Sequence, residues 1–466
     1  LIPALVALLL VFAAGFPIAA LLDRRASLDV VAGEGMLIGF GVTSYLLLGL
    51  TLVHVGWTRL SVLVACGVVG GVAWVFMWRP HPAFGHPLPR GGRGGGLPSP
   101  AAAGEGGAER RMRAPLAYLF DAATVIALGG YTLLATITHV WEFDFIRDWG
   151  LKARIFFLAG GVDWAFLEDV VERGSHPDYP PLLPLSFDLF AVIRGGWDDR
   201  WIGLINVAFA AAALLIVRRE LIREVPSRTA AAFGTLALLP LVALPWIGIA
   251  DGPLAALVLC APLLIRRAIA DDDSRAFTTA AILLGIGAFT KNEGLTFIVA
   301  VALGLAAAGK WRLIPRLWPS VAIALPWLVL RSVHTLPTDL AEGNVLARMI
   351  DHVMHPAPLL IALAKYPVGK PIFWIAMIAG VLLTLRMLLR YERLVLVTVA
   401  VQFACYIAAY LSTPHGMDWH VRWSWDRLIA HVAAPLAYVV LAELLRRISA
   451  TPDAPSPDRA ARLHQE

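Results

Sequence analysis

The chain has 466 residues, 58% of them hydrophobic and only 16% charged, with a formal net charge of +5 and a mean hydropathy of +0.71. Soluble domains carry about 25% charge, so a soluble globular protein is excluded. Continuous rather than alternating apolar runs exclude an outer-membrane barrel, and arginines scattered in short clusters between those runs argue against nucleic-acid binding.

Apolar runs at 1–22, 34–54 and 60–78 are long enough to cross a bilayer. The first lacks a basic lead and a small-residue cleavage site, so it reads as a retained span. Residues 79–114 are rich in Gly, Pro and Ala, and carry Arg79, Arg90, Arg93, Arg110, Arg111 and Arg113. That composition predicts a flexible cytoplasmic linker. About ten further apolar segments follow between 115 and 446, before a polar tail at 447–466. The expected fold is all-α: a polytopic transmembrane helical bundle of roughly 12–14 spans. Its expected parts are a three-span N-terminal membrane module (1–78), the linker and a membrane core (115–446). Cys66, Cys260 and Cys405 lie inside apolar runs without paired spacing, so neither disulfides nor a zinc site is implied.

Basic residues cluster at Arg24 and Arg25, at 218–228, at Arg266 and Arg267, at 310–316, at 386–393, and at Arg446 and Arg447. The positive-inside rule makes these cytoplasmic. Segments 141–200, the turns at Asp251 and Lys291, 332–370 and 411–427 then share the opposite face. The run 181–195 would break this alternation by crossing, and reads as short, re-entrant or strongly tilted.

Trp141-Glu-Phe-Asp-Phe-Ile-Arg-Asp-Trp-Gly-Leu-Lys152 follows directly on a span. In a helical conformation Asp144, Asp148 and Lys152 recur at i, i+4, i+8 and share one face. A carboxylate at the water–lipid boundary beside a second one suits proton abstraction near neutral pH, because burial and like charge both favour proton uptake. The bland reading is a solvated loop with one Asp–Lys pair. Farther on, His176-Pro-Asp-Tyr-Pro-Pro must be a shaped turn, since its prolines forbid a regular helix. Proline also opens spans in the ordinary way, but that does not explain why His176, Asp178 and Tyr179 crowd there.

Lys291, in Thr290-Lys-Asn-Glu-Gly294, could hold an anionic lipid phosphate as a point charge or merely snorkel to the headgroups. Asp251 in an Asp-Gly-Pro turn is by itself an ordinary helix cap. The segment 410–427 reads as a loop dense in Trp and His, with Arg422 and the Asp426–Arg427 pair. The spacing of His415 and His420 does not put two imidazoles on one helical face for a metal.

In this order, the acidic first loop, the Pro-Pro turn, the Lys-Asn-Glu-Gly turn and the Asp-Arg segment resemble a GT-C type glycosyltransferase over about residues 115–446. The likeness is to the branch related to protein mannosyltransferases and the lipid A aminoarabinose transferase. It implies an extracytoplasmic first loop carrying amphipathic helices, and an active site on that face of a bacterial-type plasma membrane.

The pattern Asp144-x4-Trp149-x2-Lys152-Ala153 resembles the loop in which that group carries its catalytic base. Asp144 is then the expected base, with Asp148 as fallback. Lys291, Arg147 and Arg427 are the expected ligands of the donor phosphate. Lys152, His176, Asp178, Tyr179, Asp251, Glu293 and Asp426 are the expected substrate-binding residues. Two departures stand out: Tyr179 occupies a place where relatives carry lysine, and no Asp-Glu pair is present as in protein mannosyltransferases.

The implied reaction is inverting transfer of a sugar from a polyprenyl-phosphate donor to a hydroxyl of a glycan, lipid or protein acceptor. No cofactor motif occurs; a divalent metal is an option only if Asp144, Asp148 and Asp178 converge in space. Membrane lipids are expected partners, and nucleic acid is not. The competing class is a polytopic transporter or flippase for a lipid-linked or anionic substrate, which would place charges near the bilayer midplane and show repeated halves.

Overall fold

The computed structural model describes residues 1–24, 26–78, 107–338, 343–366, 368–369 and 371–449, with backbone alone at 107–114 and 172–174. Most of the expected linker and tail lie outside the described residues. Among those residues every regular element is helical.

In chain order the elements begin with α1 (Ile2–Leu22), α2 (Leu28–Leu52), α3 (Arg59–Trp78) and α4 (Gly107–Thr136). The acidic first loop then forms a π-helical turn, Phe145–Trp149, leading into α5 (Gly150–Ala159) and the one-turn α6 (Trp164–Glu168). The core continues with α7 (Leu182–Arg194), α8 (Leu204–Glu224), α9 (Arg228–Leu238), α10 (Asp251–Ala270), α11 (Ser274–Thr290), α12 (Asn292–Ala307) and α13 (Trp318–Val333). Two short helices, α14 (Val345–Met354) and α15 (Ala357–Lys365), precede α16 (Pro371–Tyr391), α17 (Arg393–Ser412) and α18 (Met417–Ser449).

Among the described residues ten helices are long and apolar enough to cross a bilayer, and three shorter apolar ones lie around α9, α11 and α12. The protein is an integral membrane helical bundle. Without water in the hydrocarbon, only helices satisfy their own backbone groups, which is why these apolar runs take that form.

Two sequence readings shift in detail, and a third, the short segment at 181–195, is made specific. Helix α2 begins at Leu28, so Glu34 lies inside it and fully buried rather than at its edge. The run 181–195 becomes α7, whose 13 residues reach about 20 Å, short of a hydrocarbon layer of about 30 Å. Its residues from Leu182 to Val192 are all buried, the position of a short internal element. The expected loop at 417–427 is instead the start of α18, a 33-residue helix of about 50 Å. It is longer than the bilayer is thick, so its polar first turns can project past the spans.

Close backbone approach sets the packing of the first helices. A methyl group added at Gly15 would overlap the Gly35 carbonyl, and one at Gly39 would overlap the Val11 carbonyl. Small residues that let backbones meet are the usual glue of membrane helices. Helix α2 also packs on α7 and α8, and α1 on α7. Ser44 donates to the Leu182 carbonyl at 3.1 Å.

Candidate functional site

Lys291 is the one residue between α11 and α12, with an extended backbone (φ −157°, ψ 151°). That joint is tight because a side chain at Gly294 would overlap the backbone of Gly287. The sharp turn aims the Lys291 ammonium back at the first residue of α10. Lys291 Nζ donates to Asp251 Oδ1 at 3.0 Å and lies 3.0 Å from Glu293 Oε1. Burial alone would make this ammonium give up its proton more readily; Asp251 and Glu293 outweigh that and hold its pKa above the ordinary lysine value. Lys291 therefore stays a cation.

Asp251 is completely buried. Its second oxygen lies 3.8 Å from Arg427 Nη1, and His431 Nε2 stands 3.3 Å from Oδ1. Arg427 in turn pairs with Asp144, whose side chain is 36% exposed. Asp144, Arg427, Asp251, Lys291 and Glu293 thus form one continuous chain of alternating charges, drawn from residues up to 283 positions apart. A buried carboxylate is tolerable only when paired and hydrogen-bonded, and Asp251 has cations on both oxygens.

A second polar group adjoins the first. Asp148 and Lys152 pair at 2.5 Å, as expected for i, i+4 on a helix. Asp144, at the start of the π turn, is close enough to act on Asp148 and pairs with Arg427. Such π segments recur at functional sites. Burial pushes the Asp148 carboxyl above its usual range, partly offset by Lys152 and His176. Lys152 also donates to the His176 carbonyl at 3.0 Å and lies over the Trp149 and Tyr179 rings. His176 stacks on Tyr179 with centroids 4.7 Å apart. Asp178 accepts from Asn292 Nδ2 at 3.0 Å and lies 3.4 Å from Arg331, while its carbonyl accepts from Trp327. Asn292 follows Lys291 directly, so the Pro-Pro turn is tied to the joint that holds the buried cation.

Several buried polar atoms here have no hydrogen-bond partner among the described residues: Asp251 Oδ2, Asn292 Oδ1, Glu293 Oε2 and Arg427 Nε. Leaving such an atom unmatched costs about 1–3 kcal/mol. These are the atoms that a polar ligand would satisfy.

Two expected residues fall outside the cluster. Arg147 is exposed and lies over the Phe143 ring, 5.6 Å from its centroid. Asp426 is exposed and accepts from the Gly369 amide at 3.1 Å; one residue along a helix from Arg427 it points about 100° away. Nor do Asp144, Asp148 and Asp178 gather at metal-ligand spacing. Among the described residues that spacing occurs only at His139, Asp198 and Asp199. Each of the three expected carboxylates has its own basic partner instead.

Sequence reading missed His431, Glu142, Tyr406, Gln402, Asn292 and Arg331. His431 Nδ1 is 3.2 Å from the Tyr406 hydroxyl. Gln402 bridges Thr296 and the Glu293 carbonyl at 2.8 and 3.2 Å. Glu142 feels Arg427, Asp144 and Asp251; burial raises its proton affinity, Arg427 opposes that, and the two aspartates add to it. One signal was available for His431: it stands at i+4 from Arg427, on the same helical face.

No curated protein and no solved structure matches the chain. Residues 177–336, which include Asp178, Asp251, Lys291 and Arg331, match the model of the dolichyl-phosphate-mannose-protein mannosyltransferase family, so over this stretch the resemblance to membrane glycosyltransferases of GT-C type is borne out.

Proposed function

We propose that the protein transfers a sugar from a polyprenyl-phosphate donor to an acceptor hydroxyl on the extracytoplasmic face, with inversion at the anomeric carbon. The observation that carries this reading is the charge chain joining a reachable carboxylate, Asp144, to the half-buried Arg427 and the buried Lys291. The acceptor oxygen attacks the anomeric carbon while the bond from that carbon to the phosphate oxygen breaks. The hydroxyl proton passes to Asp144, and the electron pair of the broken bond leaves on the phosphate. Arg427 and Lys291 stabilise the charge that develops there, an effect largest where water is scarce.

Arg427 has a double part in this scheme. It neutralises Asp144 in the protein alone, and an arriving phosphate competes for the same guanidinium. Donor binding would thereby release the carboxylate to the acceptor. Asp148, held by Lys152, is the alternative base; the rings of His176 and Tyr179 offer a stacking surface for the sugar.

The test is reconstitution of the purified protein with a radiolabelled polyprenyl-phosphate sugar. The expected result is release of polyprenyl phosphate, with a product of opposite anomeric configuration by NMR. Movement of intact donor across the bilayer without bond cleavage would instead establish the transporter class.

A further inference from the structure

At the far end of the bundle from Asp251 lies a second concave site. It is a cavity of about 420 Å³ between the α10–α11 turn and the 3-10 segment Trp311–Leu317. Asp251 opens α10, whereas Ala268 and Ile269 near its other end line the cavity. A 20-residue helix is about 30 Å long, so about one hydrocarbon thickness separates the two sites.

Lys310, Arg312 and Arg316 line this cavity. Among the described residues none of them pairs with a carboxylate, although Asp272 and Asp273 line the same space. Four other arginines at this end, Arg218, Arg223, Arg266 and Arg267, are ion-paired. Asp273 is committed to capping α11, accepting from the Arg275 and Ala276 amides. That cap also occupies the helix N-terminus, so the anion-binding capacity here belongs to the three side chains. Asp272 is exposed in the left-handed region (φ 49°) and remains available as an acceptor.

The rest of the lining is apolar. Phe277 is buried and Leu313 half-buried beneath the charges. Trp311, which lines the cavity, is exposed, and Trp318, at the start of α13, is exposed as well. Exposed tryptophans at span ends sit at the headgroup level of a bilayer. The volume falls in the range of small-molecule sites, about 300–1,000 Å³.

We propose that this cavity binds the headgroup of an anionic glycerophospholipid. Lys310, Arg312 and Arg316 hold its phosphodiester, Asp272 accepts from a headgroup hydroxyl, and the acyl chains leave past Trp311 along the span ends. A free anion would use the three cations but not the apolar floor or Trp311. The lipid uses all of them.

The experiment is titration of the delipidated full-length protein in detergent with dioctanoyl phosphatidylglycerol, read by native mass spectrometry. Wild type should take up one lipid saturably. R312Q/R316Q should weaken that binding about tenfold or more, while R386Q/R390Q, which removes the same charge elsewhere at this end, should leave it unchanged. Unaltered affinity in R312Q/R316Q, or equal losses in both variants, overturns the proposal. Inorganic phosphate should fail to displace the lipid; displacement at millimolar phosphate would show a site for free anions and overturn the lipid assignment.

Discussion

Arg427 is the residue on which the candidate site turns, because it touches both the reachable carboxylate and the buried one. A planar guanidinium presents several N–H donors in a fixed fork, whereas an ammonium is a compact point charge. Arg427→Lys is therefore expected to lose on the order of 10²–10³ in rate, the usual effect of losing one charge-stabilising donor. Initial rates of donor cleavage measure this. For Asp148 the folded chain binds a proton more tightly than the unfolded one. Its contribution to stability is present below the unfolded value of about 4 and is lost as pH rises through the raised folded value. Thermal unfolding followed upward from pH 4 should thus fall more steeply in wild type than in Asp148→Asn. Residues at this scale were legible where a charge stood at the end of an apolar run, as with Asp144, Asp251 and Lys291. His431 was not, because it lies within an apolar stretch and is recognisable only by its helical register with Arg427.

Among the elements, the α11–α12 joint and the long α18 do most to build the site. Gly294→Ala places a methyl group against the Gly287 backbone and should force the joint open. The expected outcome is a lower melting temperature in detergent together with lost activity, since Lys291 would no longer reach Asp251. Asp251→Ala leaves Lys291 and Arg427 without their shared partner, and breaking a buried pair costs about 3–5 kcal/mol. Differential scanning calorimetry tests that magnitude. Helix periodicity could not announce the π turn after Asp144, whose register follows from packing of Phe145 and Trp149 into the core. Hydropathy likewise marked 417–427 as a loop, because tryptophans, histidines and charges interrupt the apolar pattern even though the helix continues through them.

In the whole molecule, polar chemistry separates to two ends. One end holds the Asp251 cluster. The other holds several arginines satisfied by acids, including Arg266 with Glu224 and Glu392, and Arg267 with Asp23, Glu34 and Glu220. Asp23 directly follows α1 and Glu34 lies in α2, so the N-terminal segment completes a charge balance inside the core. Deleting residues 1–78 should expose the buried α7 and leave Arg267 with Glu220 alone, giving aggregated protein by size-exclusion chromatography. That the chain is a helical membrane bundle was readable from the lengths of its apolar runs. The pairing of particular helices was not, since it depends on glycine contacts that no periodicity records. The most direct measurement compares wild type with Asp144→Asn for polyprenyl phosphate release in reconstituted membranes, alongside donor binding. Release should fall on the order of 10²–10⁴-fold, as for loss of a general base, with donor binding retained. Near-normal release by Asp144→Asn would contradict the account and pass the role of base to Asp148.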